Sequence, residues 1–249
     1  PTLKYIVFPD NLKKIGSYAF RGTSLCHEII LPEGLTYVGD HAFDNTDVNS
    51  SHGWGSLGIW YTNTIRRISL PSTLKYIGDG AFAGCPIEQE LSFPEELEYL
   101  GEAAFESCKG LTGELRIPQN LTTIGRKCFY ENKGLKGTLD IPASVTEVGI
   151  GAFARTGFSS LTLHEGMKTI RAAAFSGIKV VNETQLVPDG YSDLYPFDGD
   201  LVLPSTVTVL EAYAFAQTGF KHVYMPDNFE EIPEGLFYRC KELIDTVVI

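Results

Sequence analysis

Long apolar runs are missing from this 249-residue chain. No stretch approaches the roughly 18 residues that a membrane-spanning helix needs, so no membrane span is expected in it. Basic residues are scarce, 20 Lys and Arg against 31 Asp and Glu, a formal net charge of -11. A surface of that sign repels phosphate backbones, and nucleic acid is not expected as a partner. Cysteine is sparse as well. Cys26, Cys85, Cys108, Cys128 and Cys240 are an odd number with no C-x-x-C pair, which argues against a closed disulfide framework and a zinc knuckle. The first residues, "PTLKYIVFPD", lack an initiator Met, a basic head and a long apolar core. No signal peptide is visible, although a processed or truncated chain reads the same way. His27, His41, His52, His164 and His222 show no H-E-x-x-H spacing, and no G-x-S-x-G or P-loop occurs. No catalytic constellation is legible, and neither an enzyme nor a cofactor is expected.

What is present is a repeat. Pro9, Pro32, Pro71, Pro94, Pro118, Pro142, Pro204 and Pro226 each precede a phenylalanine by eleven residues, from Phe20 to Phe237, and His164 keeps that distance to Phe175. The consensus is L-x-x-I-x-L-P-x-x-L-x-x-I-G-x-x-A-F-x-x-(C/T/N). I-x-L reads as a short strand with alternate side chains turned inward. Proline lacks an N–H and ends that strand's ladder. L-x-x-I returns across the coil, and A-F-x-x plugs the interior with one ring. A unit of 22–24 residues cannot bury such a face alone, whereas stacked units form a continuous core. The expected fold is one solenoid domain over residues 1–249, with about nine repeats and a partial tenth at "ELIDTVVI". Because neither end reads as a polar cap, the chain is taken as a fragment of a longer protein.

Stretches such as "ISLPSTLKYIGDGAFAGC" and "LRIPQNLTTIGRKCFYEN" resemble the leucine-rich repeats, and more closely the BspA-like subgroup of bacterial surface proteins. The resemblance covers nearly the whole chain. It implies a right-handed curved superhelix, an α/β-class fold here mostly β with short turns, with a parallel sheet on the concave face. It also implies a secreted or surface-exposed, non-catalytic module for protein binding or adhesion, since BspA-like proteins are associated with attachment to host matrix proteins and other cells. Departures from the pattern are His164, Arg171, Glu211, Leu236 and Pro233.

Two intervals are long: Phe43 to Pro71 is 28 residues and Phe175 to Pro204 is 29, against 11 to 13 elsewhere. The insertions, 44–64 and 178–200, fall in the same loop of the coil, where function tends to sit on a rigid scaffold. The first carries Trp54, Trp60 and Tyr61. The second carries Tyr191, Tyr195 and Phe197 among Asp189, Asp193, Asp198 and Asp200. Exposed aromatics offer contact area for proteins or flat faces for sugar rings; folding back onto adjacent coils is the plainer alternative. The aspartates have calcium-type oxygens, but their spacing fits no EF-hand, and turn formation is favoured.

Four residues before the proline lie Glu28, Arg67, Glu90, Glu114 and Asp200, and two before it lie Arg116 and Asp140. These positions should form parallel columns on the concave sheet, the usual binding face of solenoids. Polar exteriors are equally what any solvated sheet requires. Cys85 and Cys108 fall on neighbouring coils three residues after the repeat Phe; a disulfide is conceivable at strand spacing, and packed free thiols are favoured. Three functional readings stay open: a protein-binding or adhesion module (whose ligand would be a host matrix protein or another cell surface), glycan recognition through Trp54, Trp60, Tyr61 and Tyr191, and a structural spacer.

Overall fold

The computed structural model describes residues 6–23, 26–45, 64–181, 186–187 and 196–248. They form a parallel-strand β-solenoid of about eight turns, with no helix among the described residues. Several coils begin with the expected strand. Cys26–Ile30 pairs with Thr64–Ser69, Thr138–Ile141 with Ser160–Leu163, and Gly219–Met225 with both Asp198–Val202 and Asp245–Val248, all parallel. Burial alternates along Thr138–Ile141, with Leu139 and Ile141 inward and Thr138 and Asp140 outward. The proline does more than end the strand. Its carbonyl accepts the amide of the apolar residue three positions on, as Leu35 to Pro32 (3.1 Å) and Val145 to Pro142 (2.9 Å) show. That turn fixes the L-P-x-x-L spacing. His164 starts the same turn, accepting from Met167 at 3.3 Å.

The returning L-x-x-I segment is itself a strand, which the sequence reading did not assign. Lys14–Ile15, Tyr37–Val38, Tyr76–Ile77 and Tyr99–Leu100 form one parallel sheet. Thr123–Ile124, Glu147–Val148, Thr169–Ile170 and Val209–Leu210 form another. Two residues are too few to show a period of two, so only the buried member of each pair stood out.

The glycine after this strand has a steric cause. A Cβ at Gly39 would lie 2.5 Å from the Ser17 amide nitrogen, and one at Gly78 or Gly149 would lie 2.6 Å from that of Asp40 or Arg126. Backbone meets backbone here, and a methyl group does not fit. Where Arg171 and Glu211 replace the glycine they join an ion-pair chain instead. Arg171 reaches Glu147 through Nε (2.8 Å) and Glu211 through Nη1 (2.7 Å).

The phenylalanines stack in a single file. Phe20, Phe43, Phe82, Phe105, Phe129, Phe153, Phe175, Phe215 and Phe237 follow one another at centroid distances of 5.1 to 6.0 Å, their planes nearly parallel. Each ring from Phe43 to Phe215 is fully buried. The core register therefore continues from Phe43 to Phe82 and from Phe175 to Phe215, across both long insertions. The turn holding each ring has a left-handed residue two positions before it in every coil, whether glycine (Gly80, Gly151, Gly235) or not (Tyr18, His41, Ala103, Lys127, Ala173, Tyr213). This conformation lets alternate amides point along the solenoid axis: Phe43 donates to Ala81 (2.8 Å), Phe82 to Ala104 (2.9 Å) and Phe129 to Ala152 (2.8 Å).

The slot three residues after each ring satisfies carbonyls of this turn. Thr156 and Thr218 donate to the Phe carbonyl of their own coil, both at 2.8 Å. Cys85 and Cys108 reach the Phe of the preceding coil, at 3.2 and 3.1 Å. Asn132 serves both, at 2.8 and 3.0 Å. Cys85 and Cys108 are buried free thiols, and burial pushes both well above the ordinary thiol range.

The second insertion begins as a hairpin, Lys179–Val180 antiparallel to Leu186–Val187. Val180 packs on the outside of the turns against Tyr130, Ala154, Ala173 and Ala216, and its amide donates to the Tyr130 hydroxyl at 3.2 Å. Trp54, Trp60, Tyr61, Tyr191 and Tyr195 lie outside the described residues, as do Asp189 and Asp193.

Candidate functional site

The strand-column residues that are described hold the expected register. Glu28 lies opposite Arg67, Thr138 opposite Ser160, and Asp200 opposite His222. Glu28, Arg67, Glu90, Glu114, Asp140 and Asp200 are all exposed. They do not form one site. Asp200 pairs with His222 Nδ1 at 2.9 Å, near one end of the described coils. Asp140 binds His164 Nε2 at 2.7 Å. This explains why histidine can stand in the proline position: its ring ties the turn to the preceding strand.

Glu90, Glu114 and Asp140 do come together, where the first sheet is interrupted. Residues 85–94 form no strand. The Gln89 side chain takes the ladder's part, accepting the Ile68 amide at 3.2 Å and donating to the Ile68 carbonyl at 2.9 Å. Only isolated bridges, Gly113 to Leu135 and Arg116 to Asp140, continue the pairing among the described residues here. The interruption leaves two adjoining surface grooves. One, of about 390 Å³, is lined by Glu90, Phe93, Glu95, Glu114 and Arg116. The other, of about 360 Å³, is lined by Glu95, Glu114, Arg116, Thr138 and Asp140. Gly113, at φ 78°, makes room for the Glu90 side chain, into which a Cβ would run.

Phe93 marks this place in the sequence. It stands immediately before Pro94, as Phe8 stands before Pro9, where most other coils carry Leu or Ile. Its ring is edge-on to both Phe105 (5.6 Å) and Phe129 (6.1 Å). The Phe105–Phe129 step is 5.9 Å, against 5.3 and 5.4 Å for the steps on either side. An extra ring lies beside the file, and this step between rings is longer than the two that flank it.

Four carboxylates (Glu90, Glu95, Glu114 and the His164-paired Asp140) and one guanidinium, Arg116, line the two open grooves. Such an array recognises cationic side chains by charge-assisted hydrogen bonds. Among the described residues no group of three or more His, Cys, Asp or Glu is placed to hold a metal ion, and no helix is long and apolar enough to cross a membrane.

Six copies of the BspA type leucine rich repeat region match the chain, over residues 2–54, 56–182 and 199–248. The chain belongs to that family. Among curated proteins none matches the sequence. Among solved structures, the pneumococcal vaccine antigen PcpA is similar with a TM-score of 0.56 and 19% identity, over 99% of this chain and 63% of that one. A leucine rich cell surface protein from Faecalibacterium prausnitzii A2-165 is similar with a TM-score of 0.52 and 18% identity, over 95% of this chain and 69% of that one. At these identities the likeness is one of fold. The BspA-type assignment rests on the repeat itself, and it agrees with the stacked phenylalanines.

Proposed function

We propose that this BspA-type domain is a non-catalytic protein-binding module, displayed at a bacterial cell surface and used in adhesion. The observation that carries the reading is the pair of acidic grooves at the interruption of the first sheet, lined between them by Glu90, Glu95, Glu114 and Asp140 with Arg116. A rigid repeat scaffold fixes these carboxylates relative to one another, so a basic patch on a partner meets them with little ordering cost. The cell-surface description of the Faecalibacterium structure agrees with the location.

The test is binding to immobilised extracellular-matrix proteins over a salt series. Binding that weakens with salt, and weakens further in Glu90→Lys and Glu114→Lys, supports the reading. A glycan array that responds, and falls silent in Trp54→Ala or Trp60→Ala, replaces it with sugar recognition. Silence in both assays favours a spacer.

A further inference from the structure

The second sheet has its own interruption. Tyr37, Tyr76 and Tyr99 occupy one column of it and stack at 4.5 Å, with interplanar angles of 12° and 8°. One end of the stack is closed by a cation, Lys14 Nζ lying 5.5 Å from the Tyr37 centroid. The other end is open. The residue after Tyr99 in this column is Thr123, too small to cover a ring, and the next is Glu147. Between Tyr99 and Thr123 the sheet divides into its two four-stranded parts, at the coil step where Phe93 packs edge-on against Phe105 and Phe129. A groove of about 490 Å³ lies there, with Tyr99, Glu102, Thr123, Gly125, Arg126 and Glu147 in its lining. Arg171 closes the far side, held by Glu147 and Glu211.

We propose that this groove binds a guanidinium group, the side chain of an arginine on a partner polypeptide, laid flat on the free face of Tyr99 as the next layer of the stack. Three observations select that occupant. Glu147 is two coils beyond Tyr99, roughly 9–10 Å at a strand spacing of about 4.8 Å, a gap that holds one planar layer and little more. The Tyr99 hydroxyl donates to Asp79 Oδ1 at 3.3 Å, which makes the ring face richer in electrons and a better partner for a cation. The surroundings are acidic as well. Glu102, Glu147 and Glu211 in the lining outnumber Arg126 and Arg171, and a neighbouring hollow of about 730 Å³ that shares Glu211 is bordered by Glu230, Glu231 and Glu234 with no basic residue in its lining. A planar cation forms stacking and bidentate contacts together; an ammonium has no plane, and a neutral sugar gains nothing from the charge.

This site is on a different sheet from Glu90 and Glu114, so its failure leaves the adhesion reading intact. The test is an NMR titration of the ¹⁵N-labelled chain with the peptide Ac-Gly-Arg-Gly-NH2. Shifts confined to the amides around Tyr99, Glu102, Thr123 and Gly125 support the site, as does a weaker response to Ac-Gly-Lys-Gly-NH2. Thr123→Tyr adds a fourth ring to the column and fills the gap without disturbing the fold. It raises the half-saturating peptide concentration about tenfold or more, the loss expected for a stacked cation. Tyr99→Leu gives the same loss by removing the ring, should the tyrosine variant pack poorly. Shifts spread over other faces, undiminished binding in both variants, or an equal response to chitotriose overturns the proposal.

Discussion

The glycine column offers a substitution whose effect reverses sign along the chain. Gly101→Ala puts a Cβ 2.5 Å from the Asp79 amide nitrogen and 2.6 Å from the Gly78 carbonyl carbon. Asp79 cannot retreat: its carbonyl accepts the His41 amide at 2.6 Å, and its Oδ1 accepts the Glu102 amide at 2.8 Å. The methyl therefore forces two coils apart. Overpacking costs about 1–3 kcal/mol, and one or two weakened hydrogen bonds add about 1 kcal/mol each. The expected loss is about 2–5 kcal/mol, or a fall in Tm of roughly 4–20 °C for a chain of this length. Gly16→Ala, in the same slot of the first described coil, meets nothing within 4 Å. It should be neutral, or stabilising by about 0.4–1 kcal/mol through the unfolded chain. Urea denaturation followed by far-UV circular dichroism, with calorimetry, measures both. Equal effects of the two variants, or a Gly101→Ala protein within about 0.5 kcal/mol of wild type, refute the close approach of backbones as the reason for glycine.

Other consequences are as direct. Ala103 is left-handed at φ 51° and only partly buried, so Ala103→Gly should raise stability by about 1 kcal/mol in the same denaturation assay. Cys85 and Cys108 are buried with raised thiol pKa values. At pH 8 iodoacetamide should modify them only after unfolding, as mass spectrometry would report. Burial raises the Glu106 carboxyl above the usual range, opposed by Lys127. The folded state then holds its proton longer than the unfolded state does, so this group's contribution is fully present below about pH 4.3 and declines as pH rises through the folded value. Glu106→Gln should remove that decline from a stability-against-pH profile.

Much of the fold was legible because its signals recur at fixed spacing. The proline-to-phenylalanine interval gave the register, and the phenylalanines stack as that interval required. His164, which breaks the pattern, still keeps the turn and is tied to Asp140. The left-handed turn was hidden because Tyr18, His41, Ala103, Lys127, Ala173 and Tyr213 adopt it beside only three glycines; propensity was overridden by the ladder between coils. The second sheet was hidden by strands two residues long. The Tyr37–Tyr76–Tyr99 column could have been found, since all three stand immediately before the buried apolar residue of their coils. Phe93 was visible too, but its edge-on contact with two rings of the file at once is a three-body packing matter that no single repeat displays. Phe197, grouped in the sequence with the exposed loop aromatics, is instead buried in the core and stacks between Phe158 and Phe220; no repeat spacing marks it as a core ring.

The claim beneath all of this is that the coils cohere through one file of rings. Phe129 is fully buried, stacked between Phe105 and Phe153 and touched edge-on by Phe93, whereas Phe20 is only partly buried. Measured by equilibrium urea denaturation, Phe129→Ala should cost about 3–5 kcal/mol, and Phe20→Ala well under half of that. Similar small losses in both would contradict the stacked file and the solenoid built on it.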